Sequence, residues 1–497
     1  MNIDPRTPVL VGVGQVTEHA SPGANVDDAP TPLDLMTRAL RLAERDAGAS
    51  FPLLSGLDEL VAVGSFTWHP GDAAALVADE LGLRPRATVV TSTGGNVPQK
   101  LINAHARRIA QGEEECVAVV GAEAMHAHAR ARREERELHW PTNEPSSTSR
   151  ATDDVDRVPF TDEEYAHGLR LPVQVYPLFE NARRFARGWS LNDHRDRLAR
   201  LWQRFGEVAA ANPYAWLRDA PSAATISTPS PTNRMVAYPY TKLLVANLPV
   251  DMGAAFIMTS FDYARAKGVA PDRMIFPLAG AEANDHWFVS ERPQLDDSPA
   301  MRAIWSALQR GGTDVEAIAH LDLYSCFPTV VECAATVLGI DALDPTRVPT
   351  VTGGLTFFGG PGNNYVTHSI ATMVERLRDD PESRGLVSAL GWFSTKHAWG
   401  TYAGAPAPGG FSFDNVQDEV DAQPRCTTAV DNGDVVVESY TVTHGRDGAP
   451  ERLILAARDH AARRIWAHSE DLELARGAET HELIGRRGQV HDGLFYL

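Results

Sequence analysis

Residues 350–377, TVTGGLTFFGGPGNNYVTHSIATMVERL, decide how the rest of the chain is read. A short β-branched run enters two Gly pairs and a Gly-Pro-Gly. The stretch ends in a segment of helical period carrying Tyr365, Ile370, Met373, Val374 and Leu377. Glycines let the backbone turn sharply there and approach a ligand with no Cβ in the way. A glycine-rich loop feeding a helix N-terminus suits an anion, a thioester oxygen or a thiolate, because the unpaired N–H groups and the helix dipole favour negative charge. The same loop can also be purely structural, so its neighbours must decide.

Working outward, one order of elements occurs twice. In the first pass, 7–14 reads as a buried strand and 31–47 as a helix opened by Thr31 and Pro32. A strand at 60–65, a helix at 72–81 and a strand at 87–91 follow. Then Ser92-Thr93-Gly94-Gly95-Asn96 leads into a helix that Gly112 stops, and 116–121 is a strand. In the second pass, strands are expected at 274–280, 320–324, near 348–352 and at 385–391, with helices at 299–309, at 327–338 and after the glycine loop. Alternation of this kind predicts α/β layers around mixed or parallel sheets, and its recurrence implies a duplication. The Gly12-x-Gly14 pair is no dinucleotide fingerprint: Thr17 stands at the third glycine, and a Pro- and Asp-rich loop replaces the helix.

Between the passes, residues 126–250 have a different character, with a charged helix at 130–138 and Arg-rich helices across 181–210. Arg183, Arg184, Arg187, Arg195, Arg197, Arg200 and Arg204 form either a solvated face or a patch for a phosphate-bearing ligand. After Tyr402 the run AGAPAPGG is a linker by content. Strand signals at 434–444, 453–457 and 464–467 then predict a small antiparallel barrel.

The chain has 497 residues, enough for two or three domains. Its net charge of -19 argues against nucleic acid, since phosphate contacts need clustered Lys and Arg. The four cysteines form no C-x-x-C pair, which excludes common zinc spacings and a disulfide scaffold, so no metal is expected. No apolar run approaches the roughly 18 residues of a membrane span. A cytoplasmic protein is expected.

The region 7–402 resembles the thiolase superfamily, on its sterol-carrier-protein-2 side. Gly95-Asn96-Val97-Pro98 through Ile109-Ala110-Gln111-Gly112, then VVGAEAM at 119–125, looks like the nucleophile helix and the segment after it. Asp251-Met252-Gly253-Ala254-Ala255 resembles the entry to the second half. Tyr324-Ser325-Cys326-Phe327 stands where relatives have Asn-Glu-Ala-Phe or His-Asp-Cys-Phe, and Gly353-Gly354-Leu355 with Gly359-Gly360-Pro361 resembles the Gly-His-Pro loop.

The resemblance implies a duplicated thiolase fold in five αβαβα layers. The expected divisions are an N-terminal half (1–125), a helical loop region (126–250), a C-terminal half (251–403) and an additional OB-like domain (404–497). It also shows departures: Gly95 at the nucleophilic Cys, Gly360 at the loop His, Ala389 at the second Cys and Tyr324 at the Asn or His. The residues expected to act are therefore Tyr324, Cys326 (its thiolate stabilised by a helix dipole) and His397, with Gly95, Asn96, Gly359 and Gly360 binding substrate. Such a chain is expected to be an acyl-CoA acyltransferase with a non-standard site. The alternatives are a retro-aldolase acting on a β-hydroxyacyl-CoA, or a non-catalytic acyl-CoA or lipid-binding protein. No cofactor is expected beyond a coenzyme A thioester as substrate. Thiolases are usually dimers or tetramers, and the oligomeric state stays open.

Overall fold

The computed structural model describes residues 3–21, 23–145, 147–152, 157–429 and 432–497. Strands β1 (Pro8–Thr17), β2 (Glu59–Ala62), β3 (Ala87–Val90) and β4 (Cys116–Ala124) come from the first pass. The region after them adds three short strands, β5 (Ser149–Arg150), β6 (Met235–Ala237) and β7 (Tyr240–Thr241), before β8 (Asp251–Ser260). The first sheet runs β1-β8-β4-β2-β3-β5. By hydrogen bonding, β8 belongs to this sheet although it follows the insertion: it lies antiparallel between β1 and β4.

The second sheet is built from β9 (Phe276–Asn284), β10 (Ile318–Asp322), β11 (Arg384–Gly391), β12 (Lys396–Ala403) and β13 (Ser412–Asn415), in the order β10-β11-β12-β9-β13. The two sheets repeat one design. In both, a late strand lies antiparallel between two earlier ones: β8 between β1 and β4, and β12 between β9 and β11. The duplication is therefore present in pairing order, where sequence identity is invisible.

Helices Val97–Gln111 and Tyr365–Asp379 pack on each other and on strands of both sheets. They form the central layer of the five. Tyr365 through Val374 are all buried, as a helix between two sheets requires. Helix Pro32–Asp46 covers the first sheet and Pro299–Arg310 the second. The start of Pro32–Asp46 is as expected: the Thr31 side chain caps the Asp34 N–H, and Asp34 returns the bond in a capping box.

The strand expected near 348–352 does not form. The buried carboxylate of Asp322 gathers this backbone instead. It accepts the Val351 and Thr352 N–H groups at 3.0 and 3.2 Å and the Thr350 and Thr352 hydroxyls at 2.8 and 3.1 Å. Amides spent on a side chain cannot also join a ladder.

The Arg-rich stretch departs only in part from its expectation: Arg187, Arg195 and Arg200 are exposed, as a solvated face requires, and others are not. Arg197 pairs with Glu332 and Asp341, Arg204 donates to the carbonyls of Ala342 and Asp344, and buried Arg184 meets Glu482. These side chains dock helices Pro172–Ala186 and Leu191–Ala211 rather than offering a phosphate patch. The charged helix expected at 130–138 runs from Met125 to Arg133.

The C-terminal strands are β14 (Gly433–His444), β15 (Pro450–Arg458), β16 (Arg464–Ser469), β17 (Arg487–His491) and β18 (Leu494–Tyr496). They close as β14-β15-β16-β18-β17, with β17 returning to β14. The pair β16–β18 is parallel, so the barrel is not purely antiparallel, and its last two strands carried no signal that we read. The insertion reaches this barrel: β6 pairs with β14.

Candidate functional site

Gly95 and Asn96 lie just before helix Val97–Gln111, at the edge of the central layer. A Cβ on residue 95 would overlap the Tyr324 Oη and come within 2.6 Å of the Leu390 carbonyl oxygen. Tyr324 thus occupies the place where the side chain of a residue-95 nucleophile would stand. Its backbone N–H donates to the Ser388 hydroxyl at 2.9 Å, and its ring meets Tyr365 edge-on at 5.6 Å. Burial, then the nearby Cys326, pushes the phenol well above its usual range, so Tyr324 is neutral.

Cys326 is not the thiolate that its position before helix Pro328–Leu338 suggests. Burial pushes its thiol up to about 12, against weaker help from the Tyr176 phenol and the N–H groups of Phe327 and Cys326 itself. Desolvation outweighs the helix dipole, and the sulfur keeps its proton. Tyr176, from the insertion, is the residue beside it that sequence reasoning missed. Its hydroxyl donates to the Trp392 carbonyl at 2.7 Å and accepts the Ser394 N–H at 2.9 Å. No local pattern marks Tyr176, which meets residues more than two hundred positions away.

His397 is buried in a separate cluster. Its Nε2 lies 3.3 Å from Asp285 and 3.1 Å from the Ser394 carbonyl. Burial alone would raise the Asp285 carboxyl; His397, Arg292 and Ser298 hold it below the usual range instead. The Ser298 hydroxyl donates to the same carboxylate at 2.5 Å. This arrangement holds the start of β12 in place. Its partners among the described residues, Asp285 and Ser394, do not include Tyr324 or Cys326.

The glycine loop keeps its shape by close approach. A Cβ at Gly353, where φ is +105°, would press on the Ala209 backbone at 2.6 Å, so helix Leu191–Ala211 requires glycine there. Gly359 and Gly360 are buried in the same loop. The Gly360 N–H is spent on the Asn247 carbonyl at 2.9 Å, and the Gly94 N–H on the Asn363 amide oxygen at 2.9 Å. These amides are therefore not free donors for a ligand. Asn96 is buried, and its Oδ1 has no hydrogen-bond partner among the described residues.

The segment 246–247 ties this loop to a cleft. The Ala246 N–H donates to the Cys326 carbonyl at 3.1 Å, and the Asn247 N–H to the Leu355 carbonyl at 3.0 Å. That segment lines a cleft of about 1310 Å3, together with Trp216 and Thr356 of the glycine loop. Arg132, Arg133, Arg234, Lys242 and Arg446 also line it, and no carboxylate does. None of these is among the arginines of 181–210 for which a solvated face or a phosphate patch is expected.

Glu59, His105 and Glu114 bring possible metal-ligating atoms within 4.8 Å of one another. Arg108 already fills the cation's place, with Nη2 3.1 Å from Glu59 and Nε 3.0 Å from Glu114. The group is an ion-pair cluster. No helix among the described residues is long and apolar enough to cross a membrane.

Residues 415–493 match the family profile described as the thiolase-like protein type 1 additional C-terminal domain. The chain is similar along its whole length to a monomeric SCP2-thiolase like protein type 1 from Mycobacterium smegmatis, solved as a crystal structure. Identity is 30%, the TM-score is 0.84, and 100% of each chain is covered. More distant structures share the fold. The Ltp2-ChsH2(DUF35) aldolase is 18% identical with a TM-score of 0.60, over 80% of this chain and 98% of that one. An acetyl-CoA acetyltransferase from Syntrophomonas wolfei is 14% identical with a TM-score of 0.57, over 80% and 99%. A comparison with curated proteins finds no match. With its duplicated core, its closed five-stranded barrel and this full-length likeness, the chain belongs to the SCP2-thiolase-like proteins of type 1.

Proposed function

We propose that this protein binds a coenzyme A thioester, or a lipid-derived thioester of that kind, without passing through an acylated cysteine. One observation carries the reading: the Tyr324 phenol stands in the space that a residue-95 nucleophile would need. Acyl transfer through a cysteine needs a thiolate at the reacting centre. Position 95 has no room for one, and Cys326 is held protonated near 12. An acyltransferase would therefore need another route, such as direct transfer between two bound substrates. The thiolase fold, the retained glycine loop and the cation-lined cleft beside it support thioester binding. A neutral phenol at the reacting position favours one second reading, a lyase in which Tyr324 donates a hydrogen bond to an enolate oxygen.

Titration calorimetry with acetyl-CoA, followed by intact-mass analysis and a condensation assay, tests the reading. Saturable binding is expected, with no acyl adduct and no acetoacetyl-CoA. An acylated Cys326 peptide accompanied by turnover would overturn it, as would failure to bind. Release of an aldehyde or ketone from a β-hydroxyacyl-CoA, abolished in Tyr324→Phe, would replace it with the lyase.

A further inference from the structure

The cleft beside the glycine loop is walled by two parts of the chain that lie far apart in sequence. Arg132 and Arg133 come from the end of helix Met125–Arg133, and Arg234 and Lys242 from the segment around β6 and β7. Arg446 comes from the hairpin joining β14 and β15, in the additional C-terminal barrel. Arg234 donates to the Met235 carbonyl at 2.9 Å and reaches the Gly445 carbonyl at 3.4 Å, tying the cleft wall to that hairpin. In the same turn, the Asp447 carboxylate accepts the Ala449 N–H at 3.0 Å and does not line the cleft.

Among the described residues, Arg132, Arg133, Lys242 and Arg446 have no side-chain ion pair or hydrogen bond. In a chain of net charge -19 these four share one cleft that no carboxylate lines. Four unpaired cations converging on one cleft repel each other unless an anion joins them. At about 1310 Å3 the cleft exceeds the ~300–1,000 Å3 of ordinary small-molecule sites. Trp216, Leu217, Val236 and Leu243 supply apolar lining between the charges. A large ligand with several phosphates at one end and an organic body fits this distribution.

We infer that the C-terminal barrel is part of the ligand site: Arg446 on its hairpin, which lines the same cleft as Arg132 and Arg133, holds the phosphate-bearing nucleotide end of the thioester. This rests on the thioester-binding reading and adds to it the barrel's role and the location of the phosphates. Arg446 is exposed, so Arg446→Ala leaves packing intact, and an unchanged melting temperature serves as the control.

Calorimetry on the full chain would compare acetyl-CoA with acetyl-pantetheine, which lacks the nucleotide and its phosphates. Arg446→Ala and Arg132→Ala/Arg133→Ala are each expected to weaken acetyl-CoA at least fivefold and to leave acetyl-pantetheine unchanged. The wild-type affinity for acetyl-CoA should fall with added salt. If the wild type binds both thioesters equally, or Arg446→Ala binds acetyl-CoA as the wild type does, the barrel has no such role while thioester binding stands. If the wild type binds neither, the thioester reading fails and this inference with it.

Discussion

A cysteine cannot simply be put back at position 95. Its Cβ would meet both a phenol and the backbone carbonyl of Leu390. Gly95→Cys is expected to lower stability by about 1–3 kcal/mol, as overpacked core substitutions do, and to gain no acylation by acetyl-CoA. Adding Tyr324→Ala should recover only part of the loss, because the carbonyl remains. An unchanged urea midpoint in Gly95→Cys would show that the loop has slack. At the same scale, His368 is fully buried, and burial drives its pKa down to about 3. Between its ordinary 6.5 and 3 the unfolded chain binds a proton that the folded chain refuses, so stability falls as pH drops through that window. Glu375, pushed by burial up to about 7 from 4.5, has the opposite slope: the folded chain holds the extra proton, and stability falls as pH rises toward 7. The two oppose each other between 4.5 and 6.5. The informative quantity is therefore the difference between His368→Gln and wild type. It should shift in favour of the variant by up to about 1.4 kcal/mol per pH unit on going from pH 6 to 4.5. A pH-independent difference in urea unfolding would refute this account of His368.

At the scale of elements, Asp322 at the end of β10 organises the loop that follows two elements later. Besides the four donors of residues 350–352, it accepts the Tyr365 hydroxyl at 3.0 Å and the Ser369 hydroxyl at 2.5 Å. Asp322→Asn puts an amide N–H where only acceptors fit, stranding buried donors. A loss of about 3 kcal/mol in denaturant unfolding is expected, and a loss below 1 would mean the loop holds its shape without the carboxylate. The edge of β3 shows how the insertion acts on an element. β5 pairs with it in parallel, at Thr88–Ser149 and Val89–Arg150, covering a strand that would otherwise present unpaired groups.

In the whole molecule, the barrel is bound to the core by charge as well as packing. Arg464 on β16 is fully buried. It donates to the carbonyls of Val289, Ser290 and Arg292 in the second half and to Glu438 on β14. Trp466 adds a bond to the Ser290 hydroxyl at 2.8 Å. Burial would raise the Glu438 carboxyl, but Arg464 and Arg458 hold it below its usual 4.5. That contribution is present above pH 4.5 and is lost as pH falls through the lowered value. Arg464→Met leaves a buried carboxylate with one partner and takes the guanidinium donor from the Ser290 and Arg292 carbonyls, while Val289 keeps the Arg292 N–H. A cost of about 3–5 kcal/mol is expected, with the barrel loosening before the core in hydrogen exchange. Uniform exchange across barrel and core would show that this tie is not what joins them.

Local pattern carried much of this protein. The repeated strand and helix order, the Thr31 cap and the barrel after Tyr402 were all legible, because periodicity and capping are properties of short stretches. What the tertiary structure decided lay between distant residues. Tyr324 fills the space at Gly95 from 229 positions away, and the carboxylate of Asp322 dissolves a strand that residues 348–352 spell locally. Cys326 carries a helix-start signal yet stays protonated, since desolvation depends on what surrounds a sulfur and not on its neighbours in the chain. The cations at 132, 133, 234, 242 and 446 line one cleft only when insertion and barrel meet. Steric exclusion and electrostatics act through space, and neither leaves a mark on local sequence.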